Sequence, residues 1–178
     1  NTENLRNFHN EARLDELLKE IKIEKKNLNS KIPIVLKIAP DINDKEIEKI
    51  SEILLNNDIE AIIISNTSDD TREKLKDIQK HQKGGLSGKP LEDKTNLLIS
   101  KFYNNFKNKI KIIGVGGVDT GLSAYNKFLS GADLIQLYTG MVYKGPNIVN
   151  LIKNDLSELL LKDGVKNFKE IIGKKTKT

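Results

Sequence analysis

A lysine inside an apolar segment is the first residue of this sequence that points to chemistry. Lys37 lies near the end of the run Pro33–Asp41, whose β-branched residues predict a short parallel strand covered on both faces. An ammonium buried there without a partner costs on the order of several kcal/mol. The carboxyl end of a strand in an α/β protein offers a partner, because ligands bind there. We therefore expect Lys37 to face an anion or an electron-rich ring. The alternative is a lysine whose long side chain passes the strand end and reaches water.

Two adjacent glycines come directly after another apolar segment. Gly116 and Gly117 follow the run 111–115, which predicts a strand. Because glycine has no Cβ atom, backbone amides there can approach a phosphate closely. Tyr138 and Thr139 end the last predicted strand, and parallel barrels often build a phosphate site from their last two loops of this kind. The alternative is a tight turn that needs glycine. The spacing does not match a dinucleotide-binding fingerprint.

Polar side chains also end the second predicted strand. Ser65 and Thr67 offer hydroxyls, and the amide of Asn66 can both donate to and accept from an amide or carboxylate of a ligand. The alternative for these residues is a simple helix cap or turn. Farther along, the glycine-rich stretch 84–91, which includes Gly88, lies within a long polar segment. Long loops of this kind tend to be either functional or disordered, and here the glycines predict backbone close to a ligand.

These residues need a scaffold that brings the strand ends together. The sequence predicts strands at 33–38, 60–65, 111–115 and 133–138. It predicts helices at 11–28, 92–106 and 147–162, and a shorter one at 166–171. A capping box at Asn43 begins a further helix, and another runs from Asp119 to Ser130 with Gly131 as its stop. Strands and helices alternate without a hairpin signal, which predicts a parallel sheet joined by crossover helices.

The faces of the strands favour a barrel, although the order of elements is equally compatible with an open doubly wound sheet. Val35 and Lys37 share one face of the first strand, which suits a barrel interior with a polar top layer. Gln136 and Tyr138 share a face of the last strand in the same way. The four predicted strands are half of those in a closed barrel. We therefore predict an α/β fold, the C-terminal half of a TIM (β/α)8 barrel with four parallel strands and crossover helices.

The expected domain organisation follows from this fold. The chain begins with Asn1 rather than Met, and together with the strand number this leads us to expect a fragment. Residues 1–173 are predicted to form the incomplete barrel domain. Residues 174–178 are predicted to form a basic tail.

Composition excludes several classes of protein. The 178 residues are 37% hydrophobic and 31% charged, which is typical of a globular domain. Cysteine is absent and the two histidines are isolated, which argues against disulfides, thiolate catalysis and zinc. The net charge of +5 arises from interspersed charges and the aromatic content is 5%, so we expect no nucleic-acid binding. No apolar run approaches the roughly 20 residues of a membrane-spanning helix.

An ordered set of motifs resembles a known family. The motifs are Lys37–Asp41, Ser65–Thr67, Gly84–Leu91, Ile113–Gly117 and Gln136–Gly140. Together they strongly resemble class 2 dihydroorotate dehydrogenase, the quinone-dependent enzyme of pyrimidine synthesis. The resemblance runs from Asn1 to about Gly173. Lys89-Pro90-Leu91, after the Leu-Ser-Gly, favours class 2 over class 1.

The resemblance implies a TIM-type barrel that holds FMN. Dihydroorotate would lose two hydrogens to FMN, and ubiquinone or menaquinone would reoxidise the flavin. By match of position, Lys37 would contact the flavin ring and favour its anionic reduced form. The other expected FMN contacts are Ser65, Gly88, Gly116, Gly117 and, at the phosphate, Tyr138 and Thr139. The family usually has Thr where this chain has Ser65, so a hydroxyl is retained.

The resemblance also implies a substrate site and a base. Asn1, Asn66 and Thr67 would bind orotate. The family motif Asn-x-Ser-Ser-Pro-Asn-Thr ends in residues that match Asn1-Thr2, and its second serine is the general base. That serine would lie two positions before Asn1, so we expect no catalytic base in this chain and no activity from the chain alone. The quinone tunnel and a peripheral contact with the inner or cytoplasmic membrane would belong to a preceding N-terminal region.

Two alternatives use the same residues. A phosphate-binding barrel isomerase or aldolase could employ Lys37 and the Gly116-Gly117 turn without redox chemistry. A non-catalytic half-barrel could instead pair with a partner chain, or with a second copy of itself, for structural completion.

Overall fold

The computed structural model describes residues 11–70, 72–73 and 75–176. In this part of the chain four strands form one sheet in the order β1-β2-β3-β4. The strands are β1 (Val35–Ile38), β2 (Ala61–Ile64), β3 (Lys111–Gly114) and β4 (Leu134–Ile135). Each neighbouring pair is parallel, so the predicted parallel sheet with crossover connections is confirmed. All four carboxyl ends consequently lie at one edge of the sheet.

Helices follow the strands and supply the crossovers. The described residues form α1 (Glu11–Asn27), α2 (Asp44–Asn56), α3 (Glu92–Phe106), α4 (Gly121–Leu129), α5 (Thr139–Lys144) and α6 (Ile148–Lys162). Short 3-10 turns occupy Ile78–His81, Lys89–Leu91, Phe168–Ile171 and Lys174–Thr176. The predicted helix at 166–171 is one of these turns, and part of the predicted basic tail is another. The sequence did not predict α5, because six residues are too few to show a helical repeat.

The last strand is shorter than predicted. The ladder between the segment 133–138 and β3 covers only Leu134 and Ile135. It is flanked by bonds from the amide of Asp133 to the carbonyl of Ile112 at 2.7 Å and from the amide of Gln136 to the carbonyl of Gly114 at 3.0 Å. In the described structure the ladder between β3 and β4 ends there, and the chain after Val115 forms the turn of Gly116 and Gly117. The apolar pattern of this segment predicted a longer strand, because it gives no information about the length of the neighbouring strand β3.

Helix caps show where local sequence rules succeed and where they fail. The predicted capping box of α2 is confirmed, since the side chain of Asn43 accepts from the amide of Glu46 at 3.1 Å and the Glu46 carboxylate accepts from the amide of Asn43 at 2.7 Å. The prediction that Asp119 caps α4 is wrong. Thr120 is the cap, and it exchanges hydrogen bonds with Ser123. The shift by one residue leaves the Asp119 carboxylate at the edge of the sheet.

One face of the sheet is closed by helices and the other is open in the described structure. Ile62 and Ile64 of β2 are fully buried under α1, α2 and α3, in a core that includes Phe102. On β1 the face that holds Ile38 joins this core, as its alternation predicted. Val35, on the opposite face, is 38% exposed and Lys37 is exposed as well. The expectation that β1 is covered on both faces is therefore wrong for the described residues.

The core position of Phe102 gives a stability prediction. We expect Phe102→Ala to lower the free energy of unfolding by about 3–5 kcal/mol, because the ring is 0% exposed and its removal leaves a cavity beneath the sheet. Leu97→Ala on the same helix is the matched control, since Leu97 is 60% exposed and its loss should cost less than about 0.5 kcal/mol. Urea denaturation of the full-length protein measures both. Equal effects of the two substitutions would contradict this description of the core.

Candidate functional site

A cavity of about 820 Å³ lies at the carboxyl edge of the sheet. Its volume is within the range of roughly 300–1,000 Å³ that is usual for small-molecule sites. All of the site residues predicted from the sequence that fall in the described part of the chain line it. They are Lys37, Ser65, Asn66, Thr67, Gly88, Gly116, Gly117, Tyr138 and Thr139. Asn1 lies outside the described residues.

Lys37 enters the cavity from β1. It is paired in register with Ile63 of β2, one residue before the strand ends. Its side chain is exposed on the open face of the sheet and lines the cavity. Because the ammonium is exposed, folding of the chain carries little of the desolvation cost that the sequence suggested. The ammonium remains a positive charge directed at whatever fills the cavity.

The segment after β2 is held by backbone hydrogen bonds to both neighbouring strands. The amide of Ser65 donates to the carbonyl of Val115 at 3.2 Å, and the amide of Asn66 donates to the carbonyl of Ile38 at 2.7 Å. Ser65 is buried, whereas the side chain of Asn66 is exposed in the cavity. No helix begins at residues 67–70, which come directly after it, so the interpretation of Asn66 as a helix cap is wrong. Its amide remains available to a ligand.

The glycine turn after β3 rests on the first turn of α3. Gly116 has a φ of 110° and Gly117 a φ of 77°, a region that disfavours other residues. A Cβ atom on Gly117 would lie 2.5 Å from the Cβ of Glu92, and one on Gly116 would lie 3.0 Å from the Cγ2 of Thr95. The turn thus needs glycine for its own packing, and it also lines the cavity. Among the described residues, none accepts a hydrogen bond from either glycine amide.

The long loop between β2 and α3 reaches the last strand end. Gly88 has a φ of 79°, and a Cβ atom there would lie 2.8 Å from the Cγ2 of Thr139. The hydroxyl of Thr139 donates to the hydroxyl of Ser87 at 2.9 Å. Tyr138 stands beside these residues with 77% of its surface exposed. The contacts join the glycine-rich stretch to the start of α5 and close one side of the cavity.

An aspartate at the end of β1 holds the base of the same loop. Asp41 accepts hydrogen bonds from the hydroxyl of Ser68 at 2.6 Å, the amide of Asp69 at 2.7 Å and the ammonium of Lys94 at 2.6 Å. Ser68 in turn pairs with Leu86 through a short antiparallel bridge. Burial by itself would raise the pKa of Asp41, but these three donors outweigh it and lower the pKa below 3.8. The carboxylate is therefore charged and holds both ends of the loop near β1.

An arginine that the sequence did not single out forms the outer rim. The guanidinium of Arg72 donates to the carbonyl of Gln82 at 2.6 Å, to that of Lys80 at 3.4 Å and also to that of Gly84. Planar guanidinium groups suit several carbonyl acceptors at once. A lone arginine in a polar segment carries no sequence signal for such a contact, because its acceptors are backbone atoms.

The cavity is strongly positive. Six cationic side chains line it, namely Lys37, Arg72, Lys80, Lys83, Lys89 and Lys144. Two carboxylates, Asp77 and Asp119, oppose them. Lys89 contacts Glu92 at 2.5 Å and Asp119 at 3.6 Å, and the bond to Glu92 is the main reason that its pKa is raised. An anionic ligand fits this excess of positive charge.

The described residues set bounds on other kinds of site. They contain no group of three or more metal-ligating side chains placed to share an ion. Within the same residues, no helix combines the length and the apolar character that crossing a bilayer requires.

Comparison with known proteins identifies what this arrangement resembles. Residues 1–160 match the family model described as dihydroorotate dehydrogenase. A dihydroorotate dehydrogenase (quinone) of Bartonella tribocorum is 39% identical over 174 residues, which cover 96% of this chain and 48% of that protein. One from Buchnera aphidicola is 42% identical over 160 residues, or 88% of this chain and 48% of that protein. The chain thus spans about half the length of the curated relatives it matches.

Solved structures show the same relation. The crystal structure of DHODH from Eimeria tenella in complex with ferulenol is similar with a TM-score of 0.94 and 29% identity, covering 100% of this chain and 52% of that one. The ligand-free enzyme of the same organism gives a TM-score of 0.91 over 98% of this chain. The predicted fold class, a half of a TIM barrel with four parallel strands, is confirmed by this likeness.

The Asp41 contacts predict a pH-dependent loop. A carboxyl whose pKa is lower in the folded state stabilises that state at pH values above its ordinary pKa of 3.8. This stabilisation disappears as the pH falls through the lowered pKa. We expect Asp41→Asn to release the loop at pH 7, seen as faster amide hydrogen exchange in residues 66–88 of the full-length protein. The wild-type protein should show the same change only in acid.

A matched control is Asp44→Asn, because Asp44 is 75% exposed and its ion pair with Lys101 lies at the surface. That variant should leave exchange in the loop unchanged. Unaltered exchange in the Asp41→Asn protein would show that the loop does not depend on this carboxylate.

Proposed function

The chain belongs to the dihydroorotate dehydrogenase family, and on that premise we propose that it forms the FMN-holding half of a quinone-dependent barrel enzyme that oxidises dihydroorotate to orotate. The observation that carries this proposal is that eight motif residues from four strand ends meet Gly88 of the long loop in one positive cavity. The relatives' activity belongs to proteins about twice as long. The activity, substrates and partners of the whole protein are therefore part of the proposal.

FMN fits the residues of the cavity. Its phosphate is an anion, and we place it at the turn of Gly116 and Gly117 with Tyr138 and Thr139 beside it. The amides of the glycine turn, which have no acceptor within the described part of the chain, are suitable donors to phosphate oxygens. Ser65 and Gly88 are proposed to contact the remainder of the cofactor. When bound, FMN supplies the redox chemistry, accepting a hydride from dihydroorotate and passing electrons to a quinone.

Lys37 is proposed to act on the flavin ring by charge. Its ammonium lies on the open face of β1, and its backbone is in register with Ile63 of β2. A cation held beside the ring stabilises negative charge that arrives with the hydride. The strand fixes the position of this charge in advance, so little rearrangement is needed during the reaction.

Asn66 and Thr67 are proposed to bind the substrate. Orotate carries a carboxylate and ring amides, which need both donors and acceptors, and the exposed amide of Asn66 supplies both. Asn1 is proposed as a further ligand by its match to the family motif. That motif assigns proton removal to a serine two positions before Asn1, so we propose that the base acts from outside residues 1–178.

We propose that the protein binds its electron acceptor and contacts the membrane through residues outside this chain. The curated relatives are quinone-type enzymes, of which this chain matches about half. We propose that the quinone site and a peripheral membrane association belong to the part of those proteins that lies outside this match.

Flavin binding and turnover test the proposed function. We expect the full-length protein to be yellow, to release FMN on denaturation and to reduce a quinone or dye when dihydroorotate is added. The 178-residue chain with added FMN should give no such reduction, because its base is proposed to lie outside it. A colourless full-length protein without FMN would favour a barrel isomerase or aldolase. Robust turnover by the 178 residues alone would refute the placement of the base.

The role of Lys37 gives a prediction of its own. Lys37→Ala in the full-length protein should lower FMN content or slow flavin reduction by dihydroorotate at least about tenfold, because a charge aimed at the ring is lost. Lys31→Ala is the control, since Lys31 is exposed and precedes the same strand at its opposite end. Stopped-flow absorbance and flavin quantification measure both effects. Unchanged values for both would remove Lys37 from the mechanism.

A further inference from the structure

A lysine that the proposed function does not use is completely buried behind the cavity wall. Lys127 of α4 is 0% exposed and is among the largest fully buried side chains of the described structure. Lysine is rarely buried, because its ammonium loses the hydration of water. No carboxylate in the described residues lies within ion-pair distance of this ammonium. A charge placed this way requires a structural or functional explanation.

Two side chains near the beginning of α3 satisfy the ammonium. Its Nζ atom donates to the hydroxyl oxygen of Thr95 at 2.7 Å and to the side-chain carbonyl of Asn96 at 3.0 Å. Thr95 is itself fully buried. The bonds therefore join α4 to the beginning of α3, on the side of the helix that faces the sheet.

Thr95 connects this lysine to the glycine turn. Its hydroxyl lies 2.9 Å from the carbonyl of Leu91, 3.1 Å from that of Glu92 and 3.4 Å from that of Gly116, and it can donate its single hydrogen to one of them at a time. The Cγ2 of the same side chain is the nearest atom to a Cβ built on Gly116. The stem of Lys127 lies below Gly114, where a built Cβ would be 3.1 Å from its Cδ. The end of β3 and Gly116 thus rest on the Lys127–Thr95 pair, whereas Gly117 rests on Glu92 of the same helix.

We infer that Lys127 is a positioning residue for the phosphate-binding turn, acting through Thr95 to hold Gly116 and Gly117 where their amides meet the phosphate of FMN. The inference rests on the proposed function, because it needs FMN at that turn. Lys127 touches neither cofactor nor substrate in this arrangement. Its effect is on the geometry of the turn and on the local charge behind it.

The charge state of Lys127 supports this role. Burial lowers its pKa to about 8, while Glu92 and Asp93 of α3 partly offset that effect and Lys89 adds to it. At neutral pH most molecules therefore carry the ammonium. A positive charge behind the turn favours an anion in front of it, and the low polarity of the surroundings weakens screening.

A comparison of FMN with riboflavin tests the inference, because the two flavins differ by the phosphate. Flavin-free full-length protein is titrated with each, and binding is followed by quenching of flavin fluorescence. We expect Lys127→Met to raise the Kd for FMN about tenfold and to change that for riboflavin less than about twofold. Lys153→Met, which removes an exposed lysine from α6, should leave both unchanged.

Thr95 variants provide the second test and cover the case in which Lys127→Met does not fold. Thr95→Val removes the hydroxyl but keeps the shape, and should reproduce the selective loss of FMN affinity. Thr95→Ser restores the hydroxyl and should recover most of the preference for FMN. Urea denaturation of each variant shows whether it is folded.

The outcomes separate the two proposals. Equal loss of FMN and riboflavin affinity, or no loss of either, would show that the buried lysine acts on general stability and would overturn the inference while leaving FMN binding intact. Failure of the wild-type protein to bind FMN would instead refute the proposed function, and the inference with it.

Discussion

Hydrogen bonds that continue the parallel ladder past the ends of the strands hold the candidate site together. The amides of Ser65 and Asn66 reach the carbonyls of Val115 and Ile38, and so connect three strand ends after regular pairing has stopped. The polar residues after β2 are thereby fixed between Lys37 and the glycine turn. A slip of one residue in this register would direct each of these side chains to the opposite face of the sheet. The site therefore depends on the register more than on any single side chain.

The wall that carries the glycine turn is built from a second, independent contact. α3 begins directly beneath Gly116 and Gly117, and its first turn leaves no room for a side chain on either. The same turn of the helix receives the ammonium of the buried lysine on α4. Packing thus joins α3 to the turn, and charge-assisted hydrogen bonds join the same helix to α4. This is the kind of rigid support that a phosphate site needs, because loosely held amides bind an anion weakly.

Much of the fold could be predicted from the sequence, because it is determined by local sequence patterns. The strand-helix alternation, the cap at Asn43 and the cluster of motif residues at one edge all follow from apolar period, side-chain chemistry and chain order. The features that escaped prediction depend on distant partners. β4 is short because β3 ends at Gly114, Arg72 binds backbone carbonyls, and Lys127 is satisfied by residues about thirty positions away on another helix. The one-residue error at Thr120 arose because Asp119 and Thr120 are both good caps, and only the bond from the Ser123 amide to the Thr120 hydroxyl distinguishes them.

The position of Lys37 changes the physical argument that first drew attention to it. The sequence suggested a costly buried charge, whereas the structure places the ammonium on an open face, where water still solvates it. The cost of desolvating the ammonium therefore arises when a ligand binds and not when the chain folds. A flat aromatic ligand that covers β1 would remove this water, and the attraction between the ammonium and any negative charge on the ligand would then strengthen as the local polarity falls. An exposed lysine on a strand otherwise made of apolar residues is accordingly better explained by the ligand that covers it than by the fold that carries it.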